Sequence, residues 1–203
     1  REIHAMGGMS ANVPMKVLDS LDADIKAELE EINKGILSQI TQDKTNEARS
    51  GFDGAWAAHP DLVPTLKKVF ETELKGSQNQ IATAKYTESV VTADDLLKVD
   101  PSLNATTNLT EDGLRTNISA TLQYTIAWLN GNGAVGIGYD PEETTIYTQR
   151  FMEDLATAEI SRTQIYQMRK NDIDICSKDG SSVKINSVFD QIFDEEAKRI
   201  MTN

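Results

Sequence analysis

Cysteine, histidine and long hydrophobic runs are scarce in this sequence. It holds one cysteine and two histidines among 203 residues. Because Cys176 has no partner for an internal disulfide, the chain is not a disulfide-stapled secreted domain, and we expect a reducing compartment. No apolar run approaches the roughly 20 residues that a membrane-spanning helix needs, so no membrane partner is expected.

Positive charge is also in short supply. Lysine and arginine number 20 against 32 aspartate and glutamate residues, which gives a formal net charge of -12. An acidic surface repels a phosphate backbone, and no basic run interleaved with aromatic residues offsets that repulsion. Nucleic acid is therefore not an expected partner.

The front of the chain alternates between strands and helices. A short strand opens it, and helical spacing, apolar runs and glycine or proline breaks mark the next elements. These are a helix over about 20–49, a short buried strand over 55–58 and a helix over about 61–75. That order favours a parallel α/β arrangement. Two such units cannot close a sheet, and the chain begins with Arg1 rather than methionine, so we expect the other strands upstream in a longer polypeptide.

The rear of the chain reads as helical. Residues 77–109 are rich in Ser, Thr, Asn and Asp and are predicted to be a linker with one short helix from Ala93 to Lys98. Thr110 is a predicted N-cap, and a turn is expected at Asp179-Gly180. Helices are predicted over about 110–130, 151–170 and 187–201. The fold class is therefore mostly α with a small α/β part: residues 1–76, the linker, and an all-helical domain over 110–203.

Three features have ordinary structural explanations. Gly131–Gly136 matches G-x-G-x-x-G, but a helix precedes it, whereas the dinucleotide fingerprint needs a strand before it. We interpret it as a helix C-cap followed by a flexible loop. His4 and His59 each follow a strand-like run and are interpreted as polar residues at a pocket rim, because two histidines without a third ligand make a poor metal site. Cys176 is interpreted as a structural thiol.

The acidic pair Glu153-Asp154 has two explanations. Acids in the first turn of a helix are favourable by about 0.3–1 kcal/mol because they meet the positive end of the helix dipole. Alternatively, Asp154 takes a proton from a ligand, since Thr157, Ala158 and Ser161 give it small neighbours on one helical face. The residue types alone leave both explanations open.

Four segments of the sequence carry a recognisable pattern. They are HAMGGMSANVP (4–14), EARSGFDGAWAAHPDLVP (47–64), LRTNISATLQYTIAWLNGNGAV (114–135) and MEDLATAEISRTQI (152–165). In order and spacing they resemble the C-terminal part of malate synthases of the shorter, A-type class. The resemblance implies a TIM barrel closed by a C-terminal helical plug, with residues 1–76 in the last strand-helix units of an incomplete barrel and 110–203 in the plug.

The resemblance also implies a reaction, the condensation of acetyl-CoA with glyoxylate and water to malate and CoA in the glyoxylate cycle. The acid of the MED motif carries over to Asp154 as catalytic base, and Met152 beside it is a candidate contact for acetyl-CoA. In the family an arginine and a magnesium ion, held by a glutamate and an aspartate, complete the site. Their motifs are absent here, so these residues are expected upstream, and without the missing N-terminal barrel portion the chain is predicted to be inactive.

Some features depart from the family pattern. Residues 139–151 lengthen the loop before the MED motif, and Tyr166 and Met168 stand where the family favours tryptophan. A non-catalytic helical interaction or scaffold remnant of that enzyme is therefore the alternative hypothesis. The last residues do not match the S-K-L peroxisomal address. We expect a cytoplasmic location, with the peroxisome or glyoxysome as the alternative.

Overall fold

The computed structural model of the chain describes residues 3–83, 91–98, 109–138 and 150–202. The lengthened loop noted above lies outside the described residues from 139 to 149. The chain forms two compact units, which are Arg1–Glu88 with Glu143–Met152, and Ser89–Glu142 with Glu153–Asn203. None of the helices in the described ranges combines the length and hydrophobicity that crossing a bilayer requires.

The first unit has the predicted α/β order. Its elements are β1 (Met6–Ser10), β2 (Asn12–Val13), α1 (Ala23–Arg49), β3 (Gly54–Ala57), a 3₁₀ turn (Pro60–Leu62) and α2 (Val63–Leu74). β1 and β3 pair in parallel, and α1 connects them. The parallel pairing predicted from the strand-helix-strand order is confirmed.

A side-chain cap marks the start of α1, and residues with left-handed backbone conformation mark the end of α2. Asp22 caps α1, its carboxylate accepting a hydrogen bond from the Asp24 N–H at 3.1 Å. At the end of α2, Lys75 and Gly76 both have positive φ, at 50° and 87°. Glycine adopts that left-handed conformation without steric penalty, which explains why the helix stops there as predicted.

One core holds the first unit together. It is formed by Ile36, Ile40, Leu62 and Leu66, with Ala55 and Ala57 of β3 packed against them. Neighbouring residues of a strand point to opposite faces, so Trp56 points away from this core and is 63% exposed. The prediction that 55–58 is a buried strand is therefore wrong for one of its two faces.

The second part of the described chain is not all-helical, and that prediction is wrong. After α2 the elements are α3 (Ala93–Leu97), α4 (Glu111–Leu129), β4 (Val135–Gly138), β5 (Arg150–Glu153), α5 (Leu155–Lys170), β6 (Asp174–Cys176), β7 (Ser182–Lys184) and α6 (Ile185–Thr202). β6 and β7 form an antiparallel hairpin. Its turn contains the predicted Asp179-Gly180 pair, in which Gly180 has φ 83°.

Helices and hairpin share the core of the second unit. Its buried members are Leu114, Ile118, Met168, Ile175, Ile185, Phe189 and Ile192. The hairpin contributes Ile175, which is 1% exposed. Toward the end of α4 two apolar side chains lie outside the core, because Ile126 and Leu129 are 46% and 72% exposed.

Candidate functional site

Asp154 lies at the junction between β5 and α5. Phe151 and Met152 belong to β5, so α5 begins at Leu155 and not at about residue 151 as predicted. Strand pairing explains the difference. Phe151 lies opposite Asn12 of β2, and the Met152 N–H donates to the Ala11 carbonyl at 2.7 Å.

The Asp154 side chain caps α5. Its Oδ1 accepts hydrogen bonds from the N–H groups of Ala156 at 2.9 Å and Thr157 at 3.3 Å. Those N–H groups have no partner inside the helix, and a carboxylate at this position is a preferred cap. Both bonds fall on Oδ1, so Oδ2 takes no part in the cap. The carboxylate is half-buried, and is therefore held in one orientation with one oxygen left for other contacts.

The small residues after Asp154 do not form an open surface. Ala158 and Ser161 are each 5% exposed, and α5 packs here against α4. The hydroxyl of Thr121 on α4 lies 3.5 Å from the Ala158 carbonyl. The hypothesis that this helical face admits a ligand is wrong, because helix packing already fills it.

The two histidines lie at opposite ends of the parallel strands. His4 precedes β1 and does not follow it, and its Nδ1 lies 3.0 Å from Asp53 Oδ2. His59 follows β3, and its Nδ1 accepts from the Asp61 N–H at 3.3 Å to cap the 3₁₀ turn. The prediction that both stand at the C-terminal strand ends therefore holds only for His59.

The glycine-rich segment after α4 starts as predicted and then differs. Gly131 has φ 86° and follows the C-cap Asn130, which confirms the helix end. The segment then enters β4, whose Ile137 is fully buried, instead of remaining a loop. A helix followed by a strand is the reverse of the dinucleotide-binding order. Cys176 in β6 is half-buried and its Sγ lies 3.6 Å from the Ser177 carbonyl.

A cavity of about 500 Å³ lies between α4 and α5 of the second unit. Its wall is uncharged and exposes more apolar than polar surface, with Leu109, Leu114 and Met168 beside polar residues such as Asn117 and Gln164. Gln164 is ten residues beyond Asp154, which is about 15 Å along a helix. The cavity therefore does not include the Asp154 carboxylate.

Sequence reasoning missed the buried Lys44 and the half-buried Arg115, which is paired with the buried Glu196. Lys44 is 1% exposed; it continues the four-residue spacing of Ile36 and Ile40 on the inner face of α1, which is the signal that identifies it. Arg115 is the second, with its side chain 14% exposed. It donates hydrogen bonds to three acids, Glu111 at 2.7 Å, Glu195 at 2.6 Å and Glu196 at 3.2 Å.

These contacts move the pKa values of the Arg115 cluster. Burial lowers the pKa of the Arg115 guanidinium, but the hydrogen bonds to its three acidic partners outweigh burial and raise it. For Glu111 the directions are reversed. Burial raises the pKa of its carboxyl group, but hydrogen bonds from Arg115 and Ser177 outweigh burial and lower that pKa below its ordinary value. The cluster joins α4 to α6, so its charges stabilise the packing of the second unit.

The described residues do not fit a metal ion. No group of three or more His, Cys, Asp or Glu side chains converges anywhere in the ranges that the structure covers. Divalent cations such as magnesium need several oxygen ligands around one point. No chemical step is therefore assigned to a metal held by these residues.

Two family models match the chain nearly end to end. One, described as malate synthase, TIM barrel domain, matches residues 1–99, and the other, described as malate synthase, C-terminal, matches residues 108–203.

Individual relatives agree with the family models. The malate synthase of Dictyostelium discoideum is 39% identical over 205 residues, a match that covers 98% of this chain and 32% of the relative. The glyoxysomal malate synthase of Gossypium hirsutum is 37% identical over 201 residues, covering 98% and 30%. That of Zea mays is 36% identical over 204 residues, covering 98% and 31%. The chain thus spans about a third of the length of the curated relatives that it matches.

Proposed function

Because the chain belongs to the malate synthase family, we propose that it is the C-terminal part of an enzyme that condenses acetyl-CoA with glyoxylate, and that Asp154 is the catalytic base. In this proposal residues 1–76 belong to the end of the TIM barrel and 110–203 form the C-terminal plug, joined by the linker over 77–109. The product would be malate, formed in the glyoxylate cycle.

The geometry of the Asp154 carboxylate is the observation that supports this role. The methyl group beside a thioester is a very weak acid, so its base must be held in place near the carbon. The two N–H groups that bind Oδ1 orient the carboxylate, and Oδ2 would then take the proton. The electron pair left on the methyl carbon forms an enolate, which attacks the aldehyde carbon of glyoxylate. The electron pair of the aldehyde π bond moves to its oxygen, and the alkoxide takes up a proton to become the hydroxyl of the condensed thioester. Water afterwards hydrolyses the thioester and releases malate and CoA.

Stabilising the enolate requires groups that the described residues do not supply. An oxyanion needs positive charge or hydrogen-bond donors aimed at it. We propose that the arginine and the two acidic ligands of magnesium are contributed by the N-terminal barrel portion. Met152, half-buried in β5 two residues before Asp154, is our proposed contact for the acetyl-CoA substrate.

Asp154→Asn in the full-length enzyme tests the base directly. Asparagine caps a helix about as well as aspartate, so α5 should keep its stability while proton abstraction is lost. We expect turnover to fall by about 100-fold or more, the scale of general-base catalysis, with glyoxylate binding unchanged. The measurement is the rate of CoA release at saturating substrates, together with the glyoxylate dissociation constant.

The matched control for that variant is Asp22→Asn. Asp22 also caps a helix, α1, through its side chain, and has no role in the proposed reaction. Its variant should retain wild-type turnover. If Asp154→Asn turns over as fast as this control, Asp154 is not the base. The non-catalytic scaffold becomes the better hypothesis only if the full-length wild-type protein itself shows no turnover.

The names of two relatives bear on the cellular compartment of this protein. The matches from Gossypium hirsutum and Zea mays are named glyoxysomal, so we propose the peroxisome or glyoxysome as the alternative to the cytoplasm. Imaging a fluorescent fusion of the full-length protein decides between a punctate and an even distribution.

A further inference from the structure

A buried ion pair lies on the inner face of α1. The Lys44 ammonium lies 2.7 Å from Glu47 Oε1 and 3.1 Å from Asp43 Oδ2. Lys44 is 1% exposed, whereas the Asp43 side chain is 64% exposed. Burial of an ammonium group is unfavourable unless the group is paired and hydrogen-bonded. Hydrophobic packing of α1 alone therefore does not explain a lysine here.

The strand beneath this pair contains a bulge. From Met6 to Met9, β1 advances three residues while β3 advances only two, from Gly54 to Trp56. The extra residue falls at Gly7-Gly8. A bulge interrupts the regular ladder and changes the direction of the strand that follows it. Backbone groups at a bulge therefore need partners from elsewhere.

The ion pair supplies those partners. The Gly8 N–H donates to Glu47 Oε1 at 3.2 Å, and the Gly8 carbonyl accepts from Lys44 Nζ at 3.0 Å. A Cβ at Gly7 would overlap Glu47 Oε2, so a side chain at this position requires the carboxylate to move. Two side chains of α1 therefore hold both backbone groups of one strand residue.

The bulge sets the register of the chain that leads to β5. After it, Ser10 lies opposite Ala57, and β2 follows at once. The Ala11 carbonyl then accepts the Met152 N–H at 2.7 Å, two residues before Asp154. A slip of one residue reverses which side chains face each side of a strand. The pairing of β2 with β5 therefore depends on the bulge being kept.

We propose that Lys44 and Glu47 are positioning residues for Asp154. They hold the Gly7-Gly8 bulge, the bulge fixes where β2 lies, and β2 binds the strand from which Asp154 emerges. This inference rests on the proposed function for its catalytic consequence. Its structural part, the link from Lys44 to the Met152 amide, is independent of that function.

Amide hydrogen exchange on the 203-residue chain tests the structural link. Lys44→Met should speed exchange of the Met152 amide by about tenfold, with the Ile40 amide inside α1 unchanged, because only a local opening is expected. The control is Lys34→Met on the same helix, where Lys34 forms an exposed pair with Glu31 at the same three-residue spacing. Equal Met152 exchange in the two variants would overturn the inference.

A second set of variants tests the same link in case Lys44→Met does not fold. Gly7→Ala should speed Met152 exchange because the new methyl displaces the Glu47 carboxylate. The double variant Gly7→Ala with Glu47→Ala removes that overlap and should bring exchange nearer to the Glu47→Ala value than to the Gly7→Ala value. If the two effects simply add, Glu47 and the bulge are not coupled, and the inference fails.

The catalytic part is measured in full-length enzyme. Glu47→Gln should lower kcat by about tenfold, since small displacements of a base reduce turnover, while KM for glyoxylate stays within about twofold. Unchanged kcat with altered Met152 exchange would show that Asp154 needs no such positioning, which refutes the inference. Failure of the proposed function looks different, because Asp154→Asn would then retain its turnover.

Discussion

Single charged side chains stabilise this protein by hydrogen-bonding to neighbouring elements. Glu111 is a member of the Arg115 cluster, and its side chain is 13% exposed. It accepts hydrogen bonds from Arg115 at 2.7 Å and from the Ser177 hydroxyl at 3.0 Å. Hydrogen bonds to a charged group are stronger than those between neutral groups. Glu111 therefore ties α4 both to Arg115 and to the residue after β6.

The lowered pKa of Glu111 predicts how stability depends on pH. Its folded pKa lies below the unfolded value of about 4.3, with hydrogen bonds outweighing burial as the cause. The stabilisation is thus complete above the unfolded pKa and disappears as pH falls through the folded pKa. Wild-type chain should lose more free energy of unfolding between pH 6 and pH 3 than Glu111→Gln does, as measured by urea denaturation.

At neutral pH the same substitution should be destabilising. We expect Glu111→Gln to lower the free energy of unfolding by about 1.5–3 kcal/mol, the range for hydrogen bonds to charged groups. The exposed Glu28 on α1 offers the control variant Glu28→Gln. If the free energy of unfolding falls equally steeply between pH 6 and pH 3 in wild type and in Glu111→Gln, the role assigned to Glu111 is wrong.

At the scale of elements, helix boundaries follow cap residues. Thr110 was predicted to cap α4, and its hydroxyl does accept a hydrogen bond from the Gly113 N–H at 3.1 Å. The start of α5 was predicted four residues too early because β5 was not foreseen. No alternation of apolar and polar residues marks RFME as a strand; its pairing with β2 creates it.

Thr110 provides a test of this element-scale view. Thr110→Ala removes the side-chain acceptor and should lower the free energy of unfolding by about 1 kcal/mol. Thr110→Ser keeps a hydroxyl at the same position and should lie close to wild type. Urea midpoints measured at constant m-value report the difference, and equal midpoints for the alanine and serine variants would show that the cap contributes nothing.

At the scale of the whole molecule, the β1 and β3 pair has a face with large exposed apolar side chains. Trp56 and its register neighbour Met9 are 63% and 47% exposed. The chain also spans only about a third of the relatives that it matches. Both observations support the proposal that this chain works together with the barrel portion of a longer enzyme.

The isolated chain is therefore expected to make no malate. Mixed or co-expressed with the front portion of a malate synthase, it should regain magnesium-dependent malate formation, because the arginine and metal ligands are then present. The same mixture made with the Asp154→Asn chain should stay inactive. Malate formation by the 203 residues alone would refute the prediction that essential groups lie elsewhere.

The sequence by itself determined the features that depend on neighbouring residues. Apolar spacing placed α1, α2, α4 and α6, glycines marked helix ends, and the strand-helix order predicted the parallel pair. Local conformation and amphipathic spacing are encoded within a few turns of chain, so they can be inferred without coordinates.

Tertiary structure alone decided the features that join distant segments. It paired β2 with β5 across about 140 residues of sequence, buried Ser161 beneath α4, exposed Trp56, and placed Lys44 against Gly8. Strand partners and buried charges depend on which segments meet in space, and no local pattern specifies that meeting. The surroundings of Asp154 follow from those long-range contacts.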